Sequence, residues 1–286
     1  MDDAPTAAQV DRLVRLPSFY DRDGIELYCG DNCDVLGTMP RECVDLVVTS
    51  PPYDDLRTYG GHSWDFYGVA WHLKRVLKPG GVIVWIVNDA TKDGSETLSS
   101  MRQALHFQSL GMLMHDTMIW RKQTFSLPFP NRYHQVFEYC FVMAKGSPRA
   151  FNPLEDRRNI KAGTTTAVTV READGEITRR TDKTIAATGK RFNVWDVDSC
   201  VNDQYGDHPA PFPEALARDH ILSWSNEGDV VLDPFCGSGT TLKMAREMGR
   251  RGIGIEINEE YCVIAVARLQ QRLLFGGMDA ATSSAG

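Results

Sequence analysis

Short apolar runs recur along the chain, separated by segments whose apolar positions fall three and four residues apart. Ile25 to Cys29, Val44 to Thr49 and Val82 to Val87 are rich in Val, Ile and Leu, the composition of strands buried on both faces. Trp64 to Leu77 and Leu98 to Leu110 carry helical spacing, and Lys78-Pro79-Gly80-Gly81 ends the first of them. Met114 to Trp120 and Val136 to Met143 read as two further strands with no helix between them, an antiparallel hairpin at one edge. Near the end, Val230 to Asp233, a helix from Leu242 to Met248 and Gly252 to Ile257 restore the alternation. Strands alternating with helices predict an α/β fold, a parallel sheet covered on both faces. The segment up to about Pro17 has room for a short helix without a motif, and residues 276–286 read as a disordered tail.

Between Gly146 and about Asp207 the alternation fails. Ala167 to Arg171 and Ile177 to Thr181 flank Ala173-Asp174-Gly175-Glu176, which predicts a β-hairpin. Charge sets this stretch apart as well. From Lys145 to Arg191 there are eleven Lys and Arg against six acids, a balance of +5 that leaves −12 for the rest of a chain whose net charge is −7. A basic insert on an acidic body is the asymmetry of a DNA-binding element, although a solvated surface loop has the same composition.

Two strand ends carry candidate chemistry. Val230-Val231-Leu232 runs into Asp233-Pro234-Phe235-Cys236-Gly237-Ser238-Gly239-Thr240-Thr241, a glycine turn opening a helix. Gly237 and Gly239 permit a turn that a Cβ would obstruct, and Ser238 or Thr240 can cap the helix. Backbone N–H groups in such a turn can approach a small polar ligand, though the glycine spacing alone also fits an ordinary strand-to-helix turn. Far upstream, Val44 to Val48 leads into Thr49-Ser50-Pro51-Pro52-Tyr53, where two prolines stiffen a hook presenting a hydroxyl, a carbonyl and an aromatic ring. In an open parallel sheet such strand ends share one crevice. Glu256, closing the run Gly252 to Ile255, suits both ribose hydroxyls of an adenosyl ligand. The turn lacks the third glycine of a dinucleotide fingerprint and the lysine of a nucleotide-triphosphate loop, which disfavours NAD and ATP.

The Ser-Pro-Pro-Tyr hook followed by the Asp-Pro-Phe-x-Gly-Ser-Gly-Thr-Thr turn resembles the permuted β class of DNA amino-methyltransferases, from about Ile25 to Leu273. That resemblance implies a seven-stranded Rossmann-like class I methyltransferase sheet, circularly permuted so that its first two strands come last. It divides the chain into an N-terminal extension (1–20), an acceptor-site half (21–145), a target-recognition insert (146–207) and a cofactor-binding half (208–275). It implies S-adenosylmethionine as cofactor, held at its methionine end by Asp233, Pro234, Phe235, Gly237, Ser238, Gly239 and Thr240. Asp31 would lie near the adenine and Glu256 on the ribose, with His208 and Phe212 lining the methionine pocket.

The same resemblance puts a base flipped out of double-stranded DNA in the hook. The Ser50 hydroxyl and the Pro51 carbonyl would accept hydrogen bonds from its amino group, with Pro52 keeping the hook stiff and Tyr53 stacking on the ring. Transfer would be direct, without a covalent enzyme intermediate or a metal. Serine rather than aspartate at the first hook position favours cytosine N4, with adenine N6 second; methylation of RNA or of a protein amide is the more distant alternative. No Pro-Cys dipeptide occurs, so the cysteine route to cytosine C5 is excluded, and the seven cysteines read as packed thiols. Expected DNA contacts are Arg121, Lys122 and Arg132 in the long loop, rich in proline and aromatics, that joins the Met114–Trp120 and Val136–Met143 strands, and Arg157, Arg158, Lys161, Arg179, Arg180 and Lys183 in the insert. A restriction endonuclease and a second copy of the chain are possible partners. No run is long enough to span a membrane and the start lacks a signal-peptide pattern, so a cytoplasmic protein is expected.

Overall fold

The computed structural model describes residues 13–52, 64–123, 130–198 and 213–275. In chain order the first elements are β1 (Tyr20–Arg22), β2 (Ile25–Cys29), α1 (Asn32–Thr38), β3 (Val44–Thr49), α2 (Phe66–Val76) and β4 (Leu77–Val87). A two-stranded turn, β5 (Thr91–Lys92) and β6 (Ser95–Glu96), leads to α3 (Ser99–Ser109), β7 (Leu113–Arg121) and β8 (Phe137–Ala144). The middle segment holds β9 (Arg157–Arg158), β10 (Thr165–Arg171), β11 (Ile177–Thr184), β12 (Thr188–Gly189) and β13 (Val194–Asp196). The chain continues through α4 (Glu214–Trp224), β14 (Val230–Asp233), α5 (Thr240–Glu247), β15 (Arg251–Glu256) and α6 (Glu259–Phe275).

Nine strands form one sheet in the order β1-β2-β15-β14-β3-β4-β8-β7-β13. From β2 to β4 all neighbours are parallel, and β4-β8-β7 are antiparallel. The seven strands that the resemblance implies are there, and a three-residue strand is added at each edge. The β7–β8 hairpin is therefore not the edge: β13 pairs parallel along its outer side, Trp195 opposite Trp120. The permutation is visible in the sheet order, because β14 and β15, last in sequence, fill the centre between β2 and β3.

Alternation along each strand divides the core. On one face Val82, Val84 and Ile86 of β4 pack with Leu216 and Ile221 of α4, Leu242 of α5 and Ala265 and Leu269 of α6. On the other, Ile83 and Trp85 meet Leu36 of α1, Val69 and Leu73 of α2 and Phe107 of α3. Asp65 caps α2 by accepting from Tyr67 N at 3.0 Å, and Lys74 and Arg75 suit its carboxyl end. Residues 13–19 form no helix, and the rest of the helix expected up to Pro17 lies outside the described residues, as does the tail.

The middle segment contains the expected hairpin, with Thr169 opposite Arg179 and Gly175 at φ +90° in its turn. Both flanks of the hairpin are tied to the core. Asn152 donates to the carbonyls of Leu222 and Ser225 at the end of α4, and β13 joins the main sheet. Trp195 stacks on the fully buried His220 of α4 at 4.5 Å, and burial beside Arg191 pushes that imidazole down to about 3. Among the described residues no helix is long and apolar enough to cross a membrane.

Candidate cofactor and acceptor site

The carboxyl ends of β2, β15, β14, β3 and β4 lie side by side, Cys29 opposite Glu256, Asp233 opposite Gly254 and Thr49 opposite Trp85. The chain leaves these ends in opposite directions along the sheet from the β14–β3 pair, the topology that opens a crevice. Both sequence motifs empty into it.

Asp233 joins them. Its buried carboxylate accepts from Thr49 Oγ1 at 2.7 Å and Thr241 Oγ1 at 2.7 Å, and from Phe235 N at 3.1 Å. Thr49 is the last residue of β3, and Ser50 and the buried Pro51 follow directly. Burial pushes the Asp233 carboxyl up to about 6, against the pull of those three donors. The glycine turn and the proline hook thus hang from one buried group. Tyr53 lies outside the described residues.

The turn has the shape its glycines predict. Gly237 and Gly239 have φ of +51° and +81°, and Gly239 starts α5. Gly254 of β15 lets the turn settle against the sheet, since a Cβ there would meet Cys236 Sγ at 2.8 Å and Leu242 Cδ1 at 2.7 Å. Glu256 accepts from Gly237 N at 2.8 Å with one carboxylate oxygen and from Asn258 N at 2.9 Å with the other. Asp31 caps α1, accepting from Cys33 N at 2.8 Å and Asp34 N at 3.2 Å, one residue beyond Gly30, whose N–H donates to the Glu256 carbonyl. Pro234 is buried, and the Phe235 ring meets Trp64 edge-on at 4.8 Å. His208 and Phe212 fall outside the described residues.

Sequence reading missed four groups here. Thr49 and Thr241 close the two motifs at their outer ends but carry no signal distinguishing an anchor from a strand or helix residue. Asn32 donates to the Pro234 carbonyl at 3.4 Å, and its buried Oδ1 has no partner among the described residues. Arg268 reaches back from α6 to Ser238 and Thr240. These groups fit an adenosyl ligand: positive-φ glycines, a carboxylate on the neighbouring strand end and an orphaned amide oxygen beside the turn.

The expected DNA contacts divide. Arg121 is paired with Asp196, Lys122 with the buried Glu138, and Arg132 with Glu96 at 3.5 Å. Arg157 donates to the Lys190 carbonyl and covers the Phe192 ring at 4.7 Å. Arg158, Lys161 and Lys183 are exposed on the insert. Arg179 and Arg180 lie on β11, opposite Thr169 and Val168.

The family model of the N6/N4 methyltransferases, a DNA methylase model, matches residues 44–267, both motifs included. The chain belongs to this DNA methylase family. The orphan methyltransferase M.BamHII of Bacillus amyloliquefaciens is 50% identical over 245 residues, covering 81% of this chain and 90% of that one. The DNA adenine methyltransferase YhdJ of Escherichia coli K12 is 28% identical over 271 residues, 88% of this chain and 85% of its own. Among solved structures, the cytosine-N4-specific PvuII DNA methyltransferase shares the methylase's fold at a TM-score of 0.61 and 21% identity, covering 85% and 86% of the two chains. A Thermus thermophilus protein, described as a candidate DNA modification methylase and solved with S-adenosyl-L-methionine, has a TM-score of 0.57 and 27% identity, covering 86% and 95%.

Proposed function

We propose that this methylase transfers a methyl group from S-adenosylmethionine to the exocyclic N4 of a cytosine flipped out of duplex DNA. The observation that carries the reading is the Thr49–Asp233–Thr241 bridge, which suspends the acceptor hook and the cofactor turn from one buried carboxylate. Bound S-adenosylmethionine supplies an electrophilic methyl group. The chain supplies position and polarity. An aromatic amino nitrogen is a poor nucleophile because its lone pair is delocalised into the ring. The Ser50 hydroxyl and Pro51 carbonyl accept hydrogen bonds from its two N–H groups, which draws electron density onto nitrogen, and the prolines fix their spacing. Tyr53 stacks on the extruded base. Ser50 or water takes the proton the nitrogen then loses. Glu256 offers the second lone pairs of its oxygens to the ribose hydroxyls, and the Gly237–Gly239 turn offers backbone N–H groups to the methionine end.

Ser50 favours cytosine. Adenine N6 is the second reading, favoured by the adenine methyltransferase among the relatives. The half-identical relative is named an orphan methyltransferase, which favours an enzyme working without a cognate endonuclease. The exposed Arg158, Lys161 and Lys183 and the β10–β11 hairpin form the target-recognition surface.

Nucleoside mass spectrometry on unmethylated DNA incubated with the protein and S-adenosylmethionine tests this. N4-methylcytosine is the expected product. N6-methyladenine in its place would overturn the base assignment and keep the amino-group chemistry.

A further inference from the structure

Arg268 sits midway along α6 with only 9% of its surface exposed. Its Nη1 donates to the Ser238 carbonyl at 2.8 Å, to Ser238 Oγ at 2.7 Å and to Thr240 Oγ1 at 3.2 Å. Its Nη2 donates to Glu214 Oε1 at 2.8 Å, the same oxygen that Lys243 Nζ reaches at 2.6 Å. One guanidinium therefore links α6 to the glycine turn, to the first residue of α4 and, through Glu214, to α5. Burial alone would raise the Glu214 carboxyl, and the Lys243 and Arg268 cations overcome it and hold it below its ordinary value.

The placement runs against local electrostatics. A helix amino terminus is the positive end of its dipole, and Arg268 brings a buried cation to the start of α5. Gly239, at that start, makes no side-chain capping bond. A serine or threonine hydroxyl cap would stabilise the helix without burying a charge. What a guanidinium adds is a planar fork that fixes the directions of several acceptors at once, here the carbonyl and hydroxyl of the turn's central residue. The turn cannot rearrange without losing those bonds, and the glycines on either side of Ser238 add no side-chain contacts of their own to resist rearrangement.

We infer that Arg268 is a positioning residue, clamping the Gly237–Thr241 turn in its ligand-receiving shape and coupling it through Glu214 to the start of α4. The inference rests on the cofactor reading of the turn. It assigns Arg268 no contact with the reacting atoms. Its effect is on cofactor affinity, through the cost of ordering the turn when ligand arrives.

Hydrogen exchange on the ligand-free full chain tests the clamp, and calorimetric titration with S-adenosylmethionine tests its consequence. Arg268→Met should speed exchange at residues 237–241 while β3 and β4 keep their protection. Its cofactor affinity should fall roughly tenfold or more, the scale of lost buried charge-assisted bonds. Turnover at saturating cofactor should stay within about threefold, since the loss is in binding. Arg268→Lys should recover part of the affinity, and Glu214→Gln should show a smaller loss of the same kind. A folded Arg268→Met protein that binds as tightly as wild type overturns the inference, and so does exchange that rises evenly across the sheet. Should Arg268→Met not fold, unchanged exchange and affinity in both Arg268→Lys and Glu214→Gln overturn it. A wild-type chain that does not bind S-adenosylmethionine defeats the cofactor reading instead, and the exchange pattern then judges the clamp alone.

Discussion

Thr49 and Asp233 stand 184 positions apart, and a single hydrogen bond of 2.7 Å joins the strand that leads into Ser50 to the turn that begins at Pro234. Residues on the two sides of that bridge have separable effects. Ser50→Ala removes the hydroxyl proposed to accept from the amino group and leaves the glycine turn intact. Turnover should fall about a hundredfold, as when one oriented polar partner of a reacting group is lost, with cofactor affinity nearly unchanged. Steady-state kinetics beside cofactor titration decides it, and equal losses in both would refute the assigned role. Asp233 has a signature in stability. Its folded carboxyl is pushed to about 6 from an ordinary 3.8, chiefly by burial. Between those values the fold keeps a proton that the unfolded chain has released, so this group favours the fold at acid pH. That favour is lost as pH rises through 6, leaving a buried charge. Asp233→Asn stays neutral, so its stability relative to wild type should improve by up to roughly 3 kcal/mol from pH 4 to pH 7. Denaturant curves across that range check it, and a constant offset between the two proteins would show that Asp233 is ionised throughout.

Legibility followed the length of each element. The strands flanking the motifs were readable because β3, β4 and β14 are buried on both faces and leave the apolar runs Leu46 to Val48, Val82 to Val87 and Val230 to Leu232. The hairpin announced itself by Ala173-Asp174-Gly175-Glu176, whose Gly175 takes the left-handed φ that few other residues tolerate. Strands β1 and β13, three residues each, are too short for any period to show. Helix α4 escaped because it buries Asp219, His220 and Ser223 beside Leu216 and Ile221, which blurs its apolar stripe. The site was half legible for a related reason. Glycines and prolines mark where backbone must bend, so the turn and the hook were visible. Nothing local marks Arg268, whose acceptors Ser238 and Thr240 lie 30 and 28 positions away and meet it only once α6 has packed.

Across the whole molecule, the basic excess of the insert is partly spent inside the fold. Arg191 lies between Asp156 and Asp219, and Arg149 pairs with the buried Asp45 of β3. Such cations hold the insert to the body, while Lys161 and Lys183 face solvent. Reversing the charge of these two lysines should weaken DNA binding and reduce its salt slope by about one for each phosphate contact removed, without lowering the melting temperature. Binding isotherms at several salt concentrations settle it, and an unchanged slope would move the DNA surface elsewhere. The order of the sheet has another consequence, for biosynthesis. Strands β2 and β3 emerge from the ribosome early, yet each takes its inner neighbour from the final quarter of the chain. Until β14 and β15 arrive, both present unpaired edges, and at about 5–20 residues per second that interval lasts many seconds. The nascent protein must wait for its own centre, and in that interval it is most exposed to aggregation and most dependent on chaperones.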